Sequence, residues 1–284
     1  MTPYCTGDIV QSGNAHGVSV FSSPYYSQKA RPHDARDRII AEATLPYLVQ
    51  VKSAAGLAIM DHSSLHEFII SSFLKNQRPP TVGDIASRFE SNATTARQGL
   101  RALADYHGAV LHPQSDEVWV AHPFSAAPTT CIVTSGHRKW WGNCAWCSLG
   151  VMHLAGGTST LTTRTGAIGD EVSVTVRDGQ LLDTDFVIHF PVPMRHAWDN
   201  VIYTCSVQLL FRNEAEVDEW CATRGIAKGD VRPIKQIWDF AAEWYGRHAD
   251  ADWTKWSLHD AAEIFARHRL TGPTWAIGDE AGRF

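Results

Sequence analysis

Two thiols stand three positions apart in the segment Trp140-Trp141-Gly142-Asn143-Cys144-Ala145-Trp146-Cys147-Ser148-Leu149-Gly150, and a third, Cys205, follows beyond a strand-rich stretch. Thiolates are the soft nucleophiles and soft-metal ligands among side chains, and a Cys-x-x-Cys pair on one turn can present both sulfurs to one atom. The run from Ala145 to Leu154 reads as a helix heading for Gly156-Gly157, which puts Cys144 and Cys147 at its start. Unpaired N–H groups and the helix dipole favour an anion there and lower a thiol pKa from its free value of about 8.5. A neutral-pH thiolate is therefore expected. Trp140, Trp141 and Trp146 around the thiols are expected to wall a water-excluding, substrate-binding pocket for an organic or organometallic ligand, with plain core packing as the competing reading. Cys5, Cys131 and Cys221 read as small buried hydrophobes without a task.

The elements that must position these thiols divide the chain into three stretches. Residues 1–55 open with a Gly-, Ser-, Tyr- and Pro-rich arm and continue into a helical pattern from Asp34 to Val51 that Pro46 must kink or end. Residues 56–127 carry three helical stripes, through Leu65 and Phe73, Val82 and Phe89, and Ala93 to Tyr106. A hairpin around Pro113-Gln114-Ser115-Asp116 follows. Three helices and a two-stranded wing make a winged-helix-like domain. Residues 128–284 read as an α+β domain with a mixed or antiparallel sheet and flanking helices. Its strands are expected at Thr130 to Thr134, Thr160 to Thr163, Glu171 to Val176, Val187 to Phe190 and Val201 to Phe211, the last carrying Cys205. Helices are expected at Glu214 to Thr223, Ile234 to Arg247 and Leu258 to His268.

Composition narrows the partners. With 284 residues, 44% hydrophobic and 19% charged, the chain can bury a full core. A net charge of -5 supplies no general attraction to nucleic acid, and the expected third helix of the winged module offers only Arg97 and Arg101 for gripping phosphate. The module therefore reads as a structural cap, or as a dimerisation or substrate-gating surface, so a homodimer stays among the expectations. No apolar run reaches the roughly 20 residues that cross a bilayer, and the N-terminus lacks a secretory pattern. A cytoplasmic protein with free thiols, a small-molecule substrate and no membrane partner is expected. His137-Arg138-Lys139 reads as a solvated turn, and His153, His189 and His196 have no ligand spacing among themselves. Phosphate-loop, dinucleotide and Gly-x-Ser-x-Gly fingerprints are absent.

At the thiol segments the chain resembles the alkylmercury (organomercurial) lyase family. That family's pattern is a catalytic Cys followed three residues later by Asp, an apolar helix ending in Gly, and much later a second catalytic Cys followed by an aromatic pair and an acidic helix containing Trp. Cys144 to Gly156 is similar to the first block, Tyr203-Thr204-Cys205-Ser206 through Phe211 with Glu214 to Trp220 to the second, and Gly169 to Val176 to the strand between them. The resemblance spans roughly residues 60 to 245. It implies that Cys144 and Cys205 grip mercury while an acid protonates the carbon, so that the C–Hg bond breaks with no cofactor required. The acid's position is Cys147 here. A third thiolate in place of a hard carboxylate would relay the proton differently or complete a three-sulfur site that holds mercury, copper or zinc at Cys144, Cys147 and Cys205. Two rival expectations follow from that departure: a biosynthetic enzyme reusing the scaffold for an elimination, cyclisation or thiol transfer, and a non-catalytic soft-metal binder.

Overall fold

The segment Ala145–Ala155 forms helix α4, and from Ala145 through Met152 every residue is buried. A helix apolar on all sides has to be covered on all sides, and the rest of the structure supplies that cover. The computed structural model describes residues 49–51, 58–278 and 284. Strands β1 (Val49–Val51) and β2 (Ala58–Met60) pair antiparallel and lead into α1 (His62–Asn76), α2 (Val82–Arg88) and α3 (Ala93–Asp105). Each of these helices begins on a side chain that accepts a backbone N–H: Asp61, Thr81 in a reciprocal capping box with Asp84, and Asn92.

β3 (Val110–Leu111), β4 (Val118–Ala121), β5 (Phe124–Ser125), β6 (Ile132–Ser135), β7 (Arg138–Gly142), β8 (Ser159–Arg164), β9 (Glu171–Arg177) and β10 (Gln180–Leu181) form one antiparallel sheet in the order β10-β9-β8-β6-β7-β5-β4-β3. A second sheet, β12-β11-β13, joins β11 (Val187–Phe190), β12 (Leu210–Phe211) and β13 (Asp230–Pro233). The remaining helices are α5 (Val201–Val207), α6 (Glu214–Arg224), α7 (Ile234–Tyr245) and α8 (Leu258–Arg267). One side of α4 rests on β6, β7 and β8, and α7 closes the other. The architecture is mixed α+β with antiparallel sheets, as expected.

Several expectations need correction. The stretch Val201 to Phe211 is not one strand: Asn200 caps Tyr203 N and starts α5, so Cys205 sits on a helix, and only Leu210–Phe211 pairs as a strand. The β-branched and aromatic residues there suit a strand, but the Asn200 cap and burial of Val201, Thr204 and Cys205 at helical spacing prevail. Arg138 and Lys139 belong to β7, not to a turn. The expected hairpin does form, yet β4 continues through β5 into β7, so the hairpin shares a sheet with the strands beyond residue 127. Of the helix expected from Asp34 to Val51, Val49–Val51 is a strand and the rest lies outside the described residues, as do Cys5 and the N-terminal arm.

Candidate active site

The start of α4 is fixed from two directions. Gly142 closes β7, and a Cβ there would lie 2.1 Å from Ser148 Oγ, so only glycine lets the first turn of α4 fold this tightly onto the strand. Cys144 is then the N-cap, its Sγ accepting the backbone N–H of Cys147 at 3.3 Å. From the other side, the Ala145 N–H donates to the Gln208 carbonyl oxygen at 3.1 Å, which ties the end of α5 to the start of α4 and brings Cys205 beside the pair. The β4–β5 connection is His122-Pro123, held where Asn143 N–H donates to Pro123 O at 3.1 Å. It places His122 Nε2 3.7 Å from Cys205 Sγ and 3.3 Å from Asn143 Nδ2.

Cys144, Cys147 and Cys205 thus come together, all buried and all free thiols. Their protons are not equivalent. Cys144 Sγ donates to the Gln208 side-chain carbonyl at 3.3 Å, a contact that requires a thiol proton. Burial, reinforced by hydrogen bonding and charge from Cys147 and Cys205, pushes Cys144 well above the ordinary thiol value. For Cys147 burial works in the same direction. Hydrogen bonds from Cys144 and Cys205, the electrostatic effect of His122 and the Tyr245 hydroxyl, 3.4 Å away, outweigh it and hold Cys147 well below that value. Cys205 is drawn down by its hydrogen bond with Cys144, but hydrogen bonding and charge from Cys147, together with burial, leave it well above. One thiolate flanked by two thiols is the resulting charge state.

Two cavities meet at this cluster. The inner one, about 40 Å³, is walled by Trp146, Trp198, Trp244, Tyr245 and Phe284, with Cys147, Cys205, His122, His248, Gln208 and Lys255 supplying its polar atoms. Among the described residues no carboxylate lines it. The outer one, about 260 Å³, reaches Cys144 and Cys205 between Trp119, Ile202 and the Pro128-Thr129-Thr130 segment. A larger hollow of about 460 Å³ lies away from the thiols, against α1 and α2, and is lined by no cysteine among the described residues. Lys255 is 7% exposed, its Nζ 4.2 Å from the Trp198 ring centroid, and burial lowers its pKa from 10.5 to about 7 against the attraction of Cys147. His122, His248 and His66 are each pushed down by burial, with Lys255 lowering all three further.

Of the tryptophans expected around the thiols, only Trp146 walls the inner cavity, stacked on Phe240 with centroids 4.8 Å apart. Trp140 shares the buried face of β7 with Gly142 but is taken up by α1, its Nε1 donating to Phe73 O at 2.7 Å, and Trp141 is exposed on the other face of β7. Strand alternation sends these neighbours to opposite faces, and neither lines a cavity at the thiols. Asp185 and Asp199 are exposed and line neither cavity, Asp199 pairing with His196 at 2.9 Å. Cys131 lies against Thr163 and Cys221 against His189, outside the thiol cluster. His122, Gln208, Tyr245, His248 and Lys255 carried no sequence signal of their own. Each sits in a turn, a helix end or a loop whose approach to α4 depends on the whole sheet.

The model of the alkylmercury lyase family matches residues 124–246, which hold all three thiols and Tyr245. Over this stretch the chain is similar to the alkylmercury lyase family. A solved structure described as the mercury-bound form of MerB2 is similar in fold, with a TM-score of 0.54 and 20% identity over 66% of this chain and 90% of that one. No curated protein matches the chain. The family's matched stretch ends before His248 and Lys255 and begins after His122, so a good part of the inner cavity is built from residues outside it. Among the described residues no helix is long and apolar enough to cross a membrane.

Proposed function

We propose that the protein is a thiol-dependent lyase that cleaves a carbon–mercury bond. The observation that carries this reading is the meeting of one depressed and two raised thiols between an outer cavity of about 260 Å³ and an inner aromatic one of about 40 Å³. An organomercurial enters beside Cys144 and Cys205. The Cys147 thiolate displaces the exchangeable ligand on mercury and forms the first Hg–S bond. Cys205 then bonds through sulfur as its proton goes to the carbon, the C–Hg bond breaks and the hydrocarbon leaves. Mercury remains on two sulfurs, with Cys144 as a third over which it can be shared. With no carboxyl group among the described residues of the inner cavity, the proton comes from the Cys205 thiol, which Cys147 and burial keep protonated.

The aromatic walls support the same reading, since a dry site strengthens the pull of a thiolate on a soft cation and lowers competition from water. The test is hydrocarbon release from a simple alkyl- or arylmercury salt in excess low-molecular-weight thiol, followed by gas chromatography. Absence of hydrocarbon from folded protein with its thiols counted intact rejects the reading. Cys147 at the position of the family's acid favours a second one, reuse of the scaffold for a thiol-dependent elimination or transfer on an organic substrate. In that case the same protein leaves organomercurials uncleaved while a small electrophile is turned over at Cys147.

A further inference from the structure

We propose that His122, Cys147 and Cys205 form a nitrogen–sulfur site for a zinc-class divalent cation, with its fourth coordination position open to the inner cavity. The one His Nε2 and two Sγ atoms all lie within 4.8 Å of one another, and no other such cluster of His, Cys, Asp and Glu is found among the described residues. Zinc bonds of about 2.3 Å to sulfur and about 2.0 Å to nitrogen at a tetrahedral angle require an S···N separation of about 3.5 Å. Cys205 Sγ and His122 Nε2 stand 3.7 Å apart.

The imidazole is also presented the right way round. Asn143 Nδ2 can only donate, so at 3.3 Å it identifies His122 Nε2 as the lone-pair nitrogen, the form that binds a metal. The ligands arrive from three segments, the β4–β5 connection, α4 and α5, so a bound ion would join parts of the chain far apart in sequence. Tyr245, 3.4 Å from Cys147 Sγ, supplies the outer hydrogen bond that orients a ligand sulfur. Two sulfurs and an imidazole, in a cavity whose described lining holds no carboxylate, select zinc-like and softer cations over magnesium or calcium. Three protein ligands with the fourth position facing a cavity is the arrangement in which zinc polarises a substrate or a water. His122 lies outside the family's matched stretch, and the inference is independent of whether the thiols turn over an organomercurial.

Cobalt(II) is the probe. The full chain, purified reduced, stripped with chelator and titrated with Co(II), is expected to take one equivalent, giving a thiolate-to-cobalt charge-transfer band and the intense visible bands of a tetrahedral site, both abolished by Zn(II). His122→Ala, Cys147→Ser and Cys205→Ser should each weaken binding by roughly a hundredfold or more, beyond the range typical of outer-shell changes. Cys144→Ser should retain the bands. His122→Cys, which keeps a soft donor in place, should restore tight binding with a stronger charge-transfer band, and circular dichroism checks that each variant is folded. The proposal is overturned if folded protein with intact thiols gives no charge-transfer band. It is equally overturned if His122→Ala binds like the parent while Cys144→Ser does not, which would describe a three-sulfur set. Hydrocarbon release assayed on the same samples separates the two readings: cobalt bands without release remove the lyase and leave the metal site.

Discussion

Replacing Lys255 by Met should stabilise the protein most at and below neutral pH. The lysine is 7% exposed in the inner cavity, and its pKa falls from 10.5 in the unfolded chain to about 7 in the folded one, chiefly through burial. Between those values the unfolded chain holds a proton that the folded chain has released, so the unfolding free energy contributed by this group rises with pH. Its contribution is complete above the unfolded pKa and is lost as pH falls through the folded one. The interval spans roughly three and a half pH units, and at about 1.4 kcal/mol per unit the ceiling is about 5 kcal/mol. Methionine has similar length and no charge to bury. Urea unfolding of parent and variant in reducing buffer from pH 6.5 to 9.5 reads the difference. The variant's advantage should be greatest at the acid end and shrink by about 2 to 4 kcal/mol across that range. Constant offsets, such as the lost contact with Trp198, do not alter the slope. Repeating the comparison in Cys147→Ser should steepen it, because the thiolate's attraction opposes the lowering of Lys255. A difference that stays level with pH, or grows toward alkaline pH, refutes the assignment of Lys255 as a buried, destabilised cation.

Three further outcomes follow from the site. Tyr245→Phe removes the hydroxyl that donates to Cys147, a hydrogen bond to a charged group of about 1.5–3 kcal/mol, so the Cys147 thiolate should titrate about 1–2 pH units higher; ultraviolet thiolate absorbance against pH measures this, and an unmoved curve counts against Tyr245 as donor. Gly150→Ala should destabilise by about 1–3 kcal/mol in urea unfolding, since the added Cβ would fall 2.3 Å from the Tyr245 ring where α4 crosses α7. Cys147→Ser should lower hydrocarbon release at least about a hundredfold, as a neutral hydroxyl replaces the thiolate, whereas Cys221→Ser, remote from the cluster, should leave it within about twofold.

The amphipathic periods of residues 62–76, 82–88 and 93–105, the alternation of Glu171–Arg177 and the all-apolar run after Cys144 were written in local sequence, and the structure keeps them as helices, strand and buried helix. Motif order also carried the thiol trio and the family resemblance, because a Cys-x-x-Cys at a helix start and one later Cys are one-dimensional facts. Other properties depend on neighbours brought from afar. Cys205 lies on a helix because Asn200 caps it and its inward face is covered, although its β-branched neighbours favour a strand. Trp140 and Trp141 sit next to the thiols in sequence, but the pleat of β7 turns Trp141 to the surface and Trp140 is taken up by α1, while Trp244 and Tyr245, about a hundred positions on, wall the cavity. The identity of the charged thiol is tertiary as well. Local sequence favours whichever sulfur caps α4, but Gln208 requires a proton on Cys144, and Tyr245 and His122 favour the anion on Cys147. The sequence by itself determined which soft atoms the protein owns and which helix presents them. Only the tertiary structure decided which of them bears charge, and which histidine joins them, because burial and hydrogen bonding act through distance in space, to which separation along the chain is no guide.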